Sequence, residues 1–160
     1  MTTPRVAILG AGIMGVSTAL FLARRNVHVT IFDQQDEAMR AASRWNEGKI
    51  HLGFLYNANS TLSSARQVLP GGLGFQALVE ELTGTSIREH TTSSDDIYLC
   101  HRDSVVSPDG MEKYFYDVSR LVREHPDAAR YCVDVSDCQV RRLARQALDQ
   151  VTDSGEIVAG

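Results

Sequence analysis

Apolar and polar positions change period several times along this chain, and each change marks an element. A short apolar run, Val6-Ala7-Ile8-Leu9, leads into a glycine turn and predicts a buried strand. Ala19, Leu20, Leu22 and Ala23 then supply the small and apolar positions of a helix lying against a sheet. Arg24-Arg25 fall in its last turn, where cations suit the negative end of the helix dipole. Asn26 follows, a residue that tolerates the left-handed conformation on which helices often end. A second strand, Val27-His28-Val29-Thr30-Ile31-Phe32, terminates in Asp33.

Further on the pattern is mainly helical. Pro70-Gly71-Gly72 reads as a breaker. It precedes a helix with Phe75, Leu78, Val79 and Leu82 at i, i+3, i+4 and i+7, stopped by Gly84. Ile97-Tyr98-Leu99-Cys100 predicts a strand, and Ser107-Pro108 the N-cap and first residue of the next helix. Met111, Tyr114, Phe115, Val118, Leu121 and Val122 form its apolar stripe, which ends before His125-Pro126. Tyr131-Cys132-Val133 predicts a short strand, and Val140, Leu143, Ala144, Ala147 and Leu148 a last helix, with Arg141-Arg142 and Arg145 on its solvated face. The stripes read as core. The chain stops in the apolar stretch Glu156-Ile157-Val158-Ala159-Gly160.

The turn between the first strand and helix carries the clearest chemistry. Gly10-Ala11-Gly12-Ile13-Met14-Gly15 has the spacing of a dinucleotide-binding fingerprint, in the strand–turn–helix context that gives such a motif meaning. Gly10 permits the tight turn, Gly12 lets the backbone approach a pyrophosphate, and Gly15 allows close helix-to-strand packing. The pyrophosphate is expected on the free N–H groups at the helix N-terminus, with Ala11, Ile13 and Met14 counted with the glycines among the cofactor-binding residues. Asp33 stands about 20 positions on, where an acid accepts hydrogen bonds from an adenosine ribose, with Gln34 beside it in the same site. Its charge argues against a ligand bearing a 2′-phosphate.

Composition narrows the class. The chain has 160 residues, 43% hydrophobic and 22% charged, enough for a buried core and unlike a fibrous or disordered chain. A net charge of −4 disfavours nucleic acid as a partner. No stretch approaches the roughly 20 apolar residues of a membrane span, and the first strand begins too near Met1 for a signal peptide. Cys100, Cys132 and Cys138 lack metal-ligand spacing, so the expectation is free or buried thiols in a reducing, cytoplasmic setting and no metal site. Composition leaves the oligomeric state open.

The run from Ala41 to Tyr56 is too polar for a sheet-covering helix, yet it follows the ribose-binding acid directly. Its Ser43, Asn46, Gly48, Ile50-His51, Gly53 and Tyr56, taken with the fingerprint, make the chain resemble the FAD-dependent oxidoreductases of the D-amino-acid oxidase superfamily. The resemblance is nearest to the L-2-hydroxyglutarate oxidase and glycine oxidase type. It implies FAD as cofactor, with Ser43 and its neighbour Arg44 at the pyrophosphate and Gly48, Lys49, Ile50 and His51 along the isoalloxazine. Arg44 and Glu47 depart from the residues common there. A flavin accepting a hydride builds negative charge on its N1–C2=O edge, which Lys49 or nearby amides stabilise; a solvated surface cation is the plainer role for Lys49. For His51 the open roles are orienting a substrate carboxylate, acting as acid or base, tethering the flavin, or packing and hydrogen-bonding beside it. Spacing singles out no catalytic nucleophile: Thr91-Thr92-Ser93-Ser94 is a polar loop, and nothing in the spacing of Arg66 and Arg88 marks them as carboxylate clamps.

The implied fold class is α/β: a Rossmann-like FAD-binding domain, begun by a β-α-β unit over 1–57, then segments over 58–160 leading into an α+β substrate domain. Relatives of this kind run to about twice this length, beyond the usual single domain. The expectation is therefore the N-terminal part of a longer flavoenzyme, or a truncated product, with an exposed sheet edge. The expected reaction is hydride transfer to flavin from a small amine or hydroxy acid. A nicotinamide-dependent hydroxyacid dehydrogenase is the alternative suggested by Gly12-Ile13-Met14-Gly15, and a non-catalytic nucleotide-binding fragment the third reading.

Overall fold

The computed structural model of the chain describes residues 3–46, 48–59, 61–92 and 94–160. Its elements follow the order β1 (Arg5–Leu9), α1 (Ile13–Ala23), β2 (His28–Phe32), α2 (Ser63–Leu73), α3 (Phe75–Thr83), β3 (Cys100–His101), α4 (Pro108–Glu124), α5 (Arg145–Val151) and β4 (Ile157–Ala159), with short 3-10 turns between them. They fall into two compact units. The first holds the chain up to Lys49 together with Glu81–Gly84; the second holds Ile50–Glu80 and Thr85–Gly160.

The first unit is built on the β1-α1-β2 crossover. The strands pair in parallel with Val6 opposite Val29 and Ile8 opposite Ile31. Alternation puts those four on one face, and Ile8 lies close under Gly15 of α1. Asn26 takes the expected positive φ, 59°, but the helix stops at Ala23, so Arg24 is its C-cap and Arg25 lies beyond the last turn rather than in it; the Arg25 guanidinium still donates to the Phe21 carbonyl at 3.0 Å while stacking on its ring. Among the described residues of this unit only Ala11 and Leu82 are buried.

The second unit contains the hydrophobic core. Leu69 and Leu73 of α2 meet Tyr114, Phe115, Val118 and Val122 of α4, with Leu52, Ala65 and Val135 completing the cluster. Tyr98 and Phe54 add aromatic contacts to Phe115, at ring-centroid distances of 4.8 and 5.7 Å. Helix α4 starts as its sequence predicts, since Ser107 caps it by accepting from the Gly110 amide at 3.2 Å and Pro108 follows at the first position. The three cysteines are free thiols, Cys100 and Cys132 buried.

Four local expectations are corrected. Pro70-Gly71-Gly72 does not precede a helix but lies inside α2. An interior proline costs about 3 kcal/mol, which burial of Leu69 and Leu73 offsets at about 1.5–3 kcal/mol each. The strand expected over 97–100 pairs only from Cys100, because its antiparallel partner β4 is short and the register shifts between Cys100 and His101. Tyr131-Cys132-Val133 is a bent connection, since the described residues form only the two sheets β1-β2 and β3-β4 and none offers it a neighbour. The last helix begins at Arg145, because Ala144 is extended (ψ 153°) and the Leu143 amide bonds to the Gly160 carbonyl at 2.8 Å. Arg141 and Arg142 therefore precede the helix and pair with Asp95 and with Asp109 and Glu112.

Candidate functional site

Where β1 gives way to α1, the backbone turns at Gly10 with φ +103°, a conformation that favours glycine. The Gly10 amide donates to the Phe32 carbonyl at 2.7 Å, fastening the end of β1 to the end of β2. Gly12 is the N-cap of α1, in extended conformation. A side chain at Gly15 is excluded, since its Cβ would lie 1.9 Å from the Gly10 carbonyl oxygen. At Gly12 a Cβ would stand 3.2 Å from the Ser43 hydroxyl and fill the space in front of the helix.

Two side chains converge on this turn. Asp33 accepts from the Ala11 amide through Oδ2 at 2.5 Å and from the Gln35 amide through Oδ1 at 2.8 Å. These amides, Ala11 first, hold its carboxyl below the ordinary aspartate value, so it stays ionised at the turn. Ser43, in the short turn Ala42–Arg44, accepts from the Ile13 amide at 2.9 Å. Among the described residues no group accepts from the amides of Gly12, Met14 and Gly15. A helix N-terminus with open amides, no side chain at its cap and a fixed carboxylate beside it is a site for an anionic group next to a hydroxyl donor. The residues present fit the diphosphate and ribose of a dinucleotide.

The stretch after Ser43 is braced locally. Asn46 donates to the Ser43 carbonyl and accepts from the Gly48 amide, both at 2.7 Å, and Gly48 turns with φ +68°. Arg44 is exposed with its guanidinium 5.2 Å from the Trp45 ring, and Gln34 and Lys49 are also exposed. Glu47 and Ser93 lie outside the described residues. Thus Gly10, Ala11, Gly12, Ile13, Met14, Gly15, Asp33 and Ser43 are grouped around one turn, with Gly48 tied to Ser43 through Asn46. Ile50 and His51 belong to the second unit, where both are half-buried. Arg66 and Arg88 are exposed in that unit.

The sequence reading did not single out Met39, whose amide donates to the Ala11 carbonyl at 2.9 Å from a left-handed backbone (φ 64°). Methionine carries no signal for that conformation. The Asn46 brace was detectable, since asparagine two residues before glycine is a turn signature.

A β-α-β crossover with this turn defines a nucleotide-binding class of α/β protein. The chain belongs to the DAO family of FAD dependent oxidoreductases, whose family model matches residues 5–154. No solved structure matches the chain. Among the described residues no helix is long and apolar enough to cross a membrane, and no cluster of His, Cys, Asp or Glu is suited to a metal ion.

Proposed function

We propose that this chain binds FAD at the β1-α1 turn and belongs to an enzyme that oxidises a small, carboxylate-bearing amine or hydroxy acid, of the L-2-hydroxyglutarate oxidase or glycine oxidase type. The observation that carries the reading is the turn itself, in a chain of an FAD-dependent family: open amides at Gly12, Met14 and Gly15 beside a carboxylate fixed at Asp33. The amides and the α1 dipole receive the pyrophosphate. Asp33, with Gln34 beside it, accepts from the ribose hydroxyls. Ser43 and Arg44 flank the phosphates, the hydroxyl of Ser43 giving up the Ile13 amide or turning its own proton outward.

Residues 1–57 supply the first part of the cofactor domain in this reading, with Gly48, Lys49, Ile50 and His51 along the isoalloxazine. FAD, when bound, supplies a hydride acceptor for the carbon bearing the amine or hydroxyl. Lys49 contributes positive potential toward the charge that develops on reduction, and His51 orients the substrate carboxylate. The half-buried setting of His51 and the positive charge of Lys49 support these roles.

The test is the visible spectrum of the purified protein, followed by denaturation. The expected result is a flavin spectrum, with FAD released into solution by denaturant. A colourless protein that takes up no added FAD overturns the proposal; flavin that stays with the denatured chain assigns a tether instead, with His51 the first residue to replace.

A further inference from the structure

The loop that begins at His51 is held by three groups distant in sequence, all within the second unit. Gly53 has φ +109°, and a Cβ there would lie 2.7 Å from the Ala65 Cβ, so the chain runs flush against α2. Gly72 makes the same close approach from the next turns of α2: its Cβ would meet both the His51 carbonyl oxygen and the Leu52 Cδ2 at 2.8 Å. From α4, the buried Tyr114 donates its hydroxyl to the Gly53 carbonyl at 3.1 Å. Ala65 has no exposed surface, so none of these contacts can slacken without opening the core.

We propose that Tyr114, Gly72 and Ala65 are positioning residues that fix the peptide planes from His51 to Gly53, and so set the flavin affinity and potential of this chain. The inference rests on the proposed run of residues 48–51 along the isoalloxazine. Tyr114 fixes the orientation of the Gly53 carbonyl, and Gly72 fixes where the His51 carbonyl lies. With both carbonyls held, the peptide planes on either side of Leu52 have one orientation, and the His51 end of the 48–51 run is fixed with them. Alanine at position 72 would raise helix propensity, but the backbone of His51 occupies the space its Cβ needs, so the substitution must displace that backbone.

The experiment is FAD titration of the full chain, as wild type and as Tyr114→Phe, Gly72→Ala and Tyr116→Phe, reading Kd, the flavin visible band and the midpoint potential, with thermal unfolding of each. Tyr114→Phe keeps the ring and loses one hydrogen bond, so Kd is expected to rise by up to about tenfold, with a shifted band and potential. Gly72→Ala is expected to exceed it. Tyr116→Phe, exposed on the same helix, is expected to match wild type in every readout. If Tyr114→Phe is folded and matches wild type in Kd, band and potential, the inference is overturned even where Gly72→Ala fails to fold. If wild type itself binds no FAD, the proposed function falls, and the positioning role with it.

Discussion

Leu9 closes β1 with 86% of its surface exposed, whereas Leu73 closes α2 with none. The contrast extends to the two units that contain them. The first is ordered by hydrogen bonds: Gly10 to Phe32, Ala11 to Asp33, Ile13 to Ser43, Met39 to Ala11. The second is ordered by a sealed cluster of leucines, valines and aromatics between α2 and α4. Directional bonds specify where a few amides point, while burial supplies stability without direction. The open amides of the β1-α1 turn therefore lie in the unit with the thinner core. Binding sites are drawn from such regions, because groups that serve a ligand are withheld from the core.

Substitutions separate the two units. The largest effect is expected from Leu73→Ala, which opens a cavity in the fully buried cluster and costs about 2–5 kcal/mol; denaturant unfolding followed through tyrosine signals checks it, because all tyrosines lie in the second unit. Next comes Gly15→Ala, whose Cβ overlaps the Gly10 carbonyl; displacing packed backbone costs about 1–3 kcal/mol. Its loss is expected in the fluorescence of Trp45, the sole tryptophan, which lies in the first unit. Loss of the tyrosine signal instead would show that the division is not energetic.

The two units also differ in their response to pH. Burial pushes the Tyr131 phenol up to about 12, above its ordinary value of about 10. A raised value favours the neutral form in the folded state, so this stabilisation is complete below about pH 10 and lost as pH rises through about 12. Asp33 has the opposite sign: its value is lowered, so its contribution is present above the ordinary carboxylate range and lost as pH falls through the depressed value. Alkaline unfolding should thus begin in the second unit and be delayed by Tyr131→Phe, while Asp33→Asn should abolish an acid-side change in Trp45 emission. The smallest effect is expected from Leu9→Ala, within about 0.5 kcal/mol by thermal unfolding, as befits an exposed side chain.

The part of this structure most legible in the sequence is its first third. Strand, glycine turn, helix, Asn26 and Asp33 are local signals, each acting over a few residues. Ala11, Ile13 and Asp33 were singled out by the fingerprint and its spacing, whereas Ser43 entered only through the family resemblance, since it reaches the Ile13 amide from 30 residues away. The fingerprint and the run from Ser43 to Tyr56 also carried the family. What escaped depends on partners far along the chain. Pro70 stays helical because α4 covers the leucines around it, and Val140–Ala144 leaves the helix because Leu143 bonds to Gly160. Nothing near Gly53 announces Tyr114.

The Tyr114–Gly53 bond also bears on the order in which the molecule is assembled. Ala11 and Asp33 are separated by 22 residues and Ile13 and Ser43 by 30, whereas the Tyr114–Gly53 bond spans 61 and the Arg102–Gly155 bond 53. Closing longer loops is slower. The β1-α1-β2 crossover can therefore form early from its own sequence, while the His51 loop waits for α4 to be made and docked. The order of synthesis thus supplies the partners of the β1-α1 turn, Asp33 and Ser43, before Tyr114, the partner of Gly53.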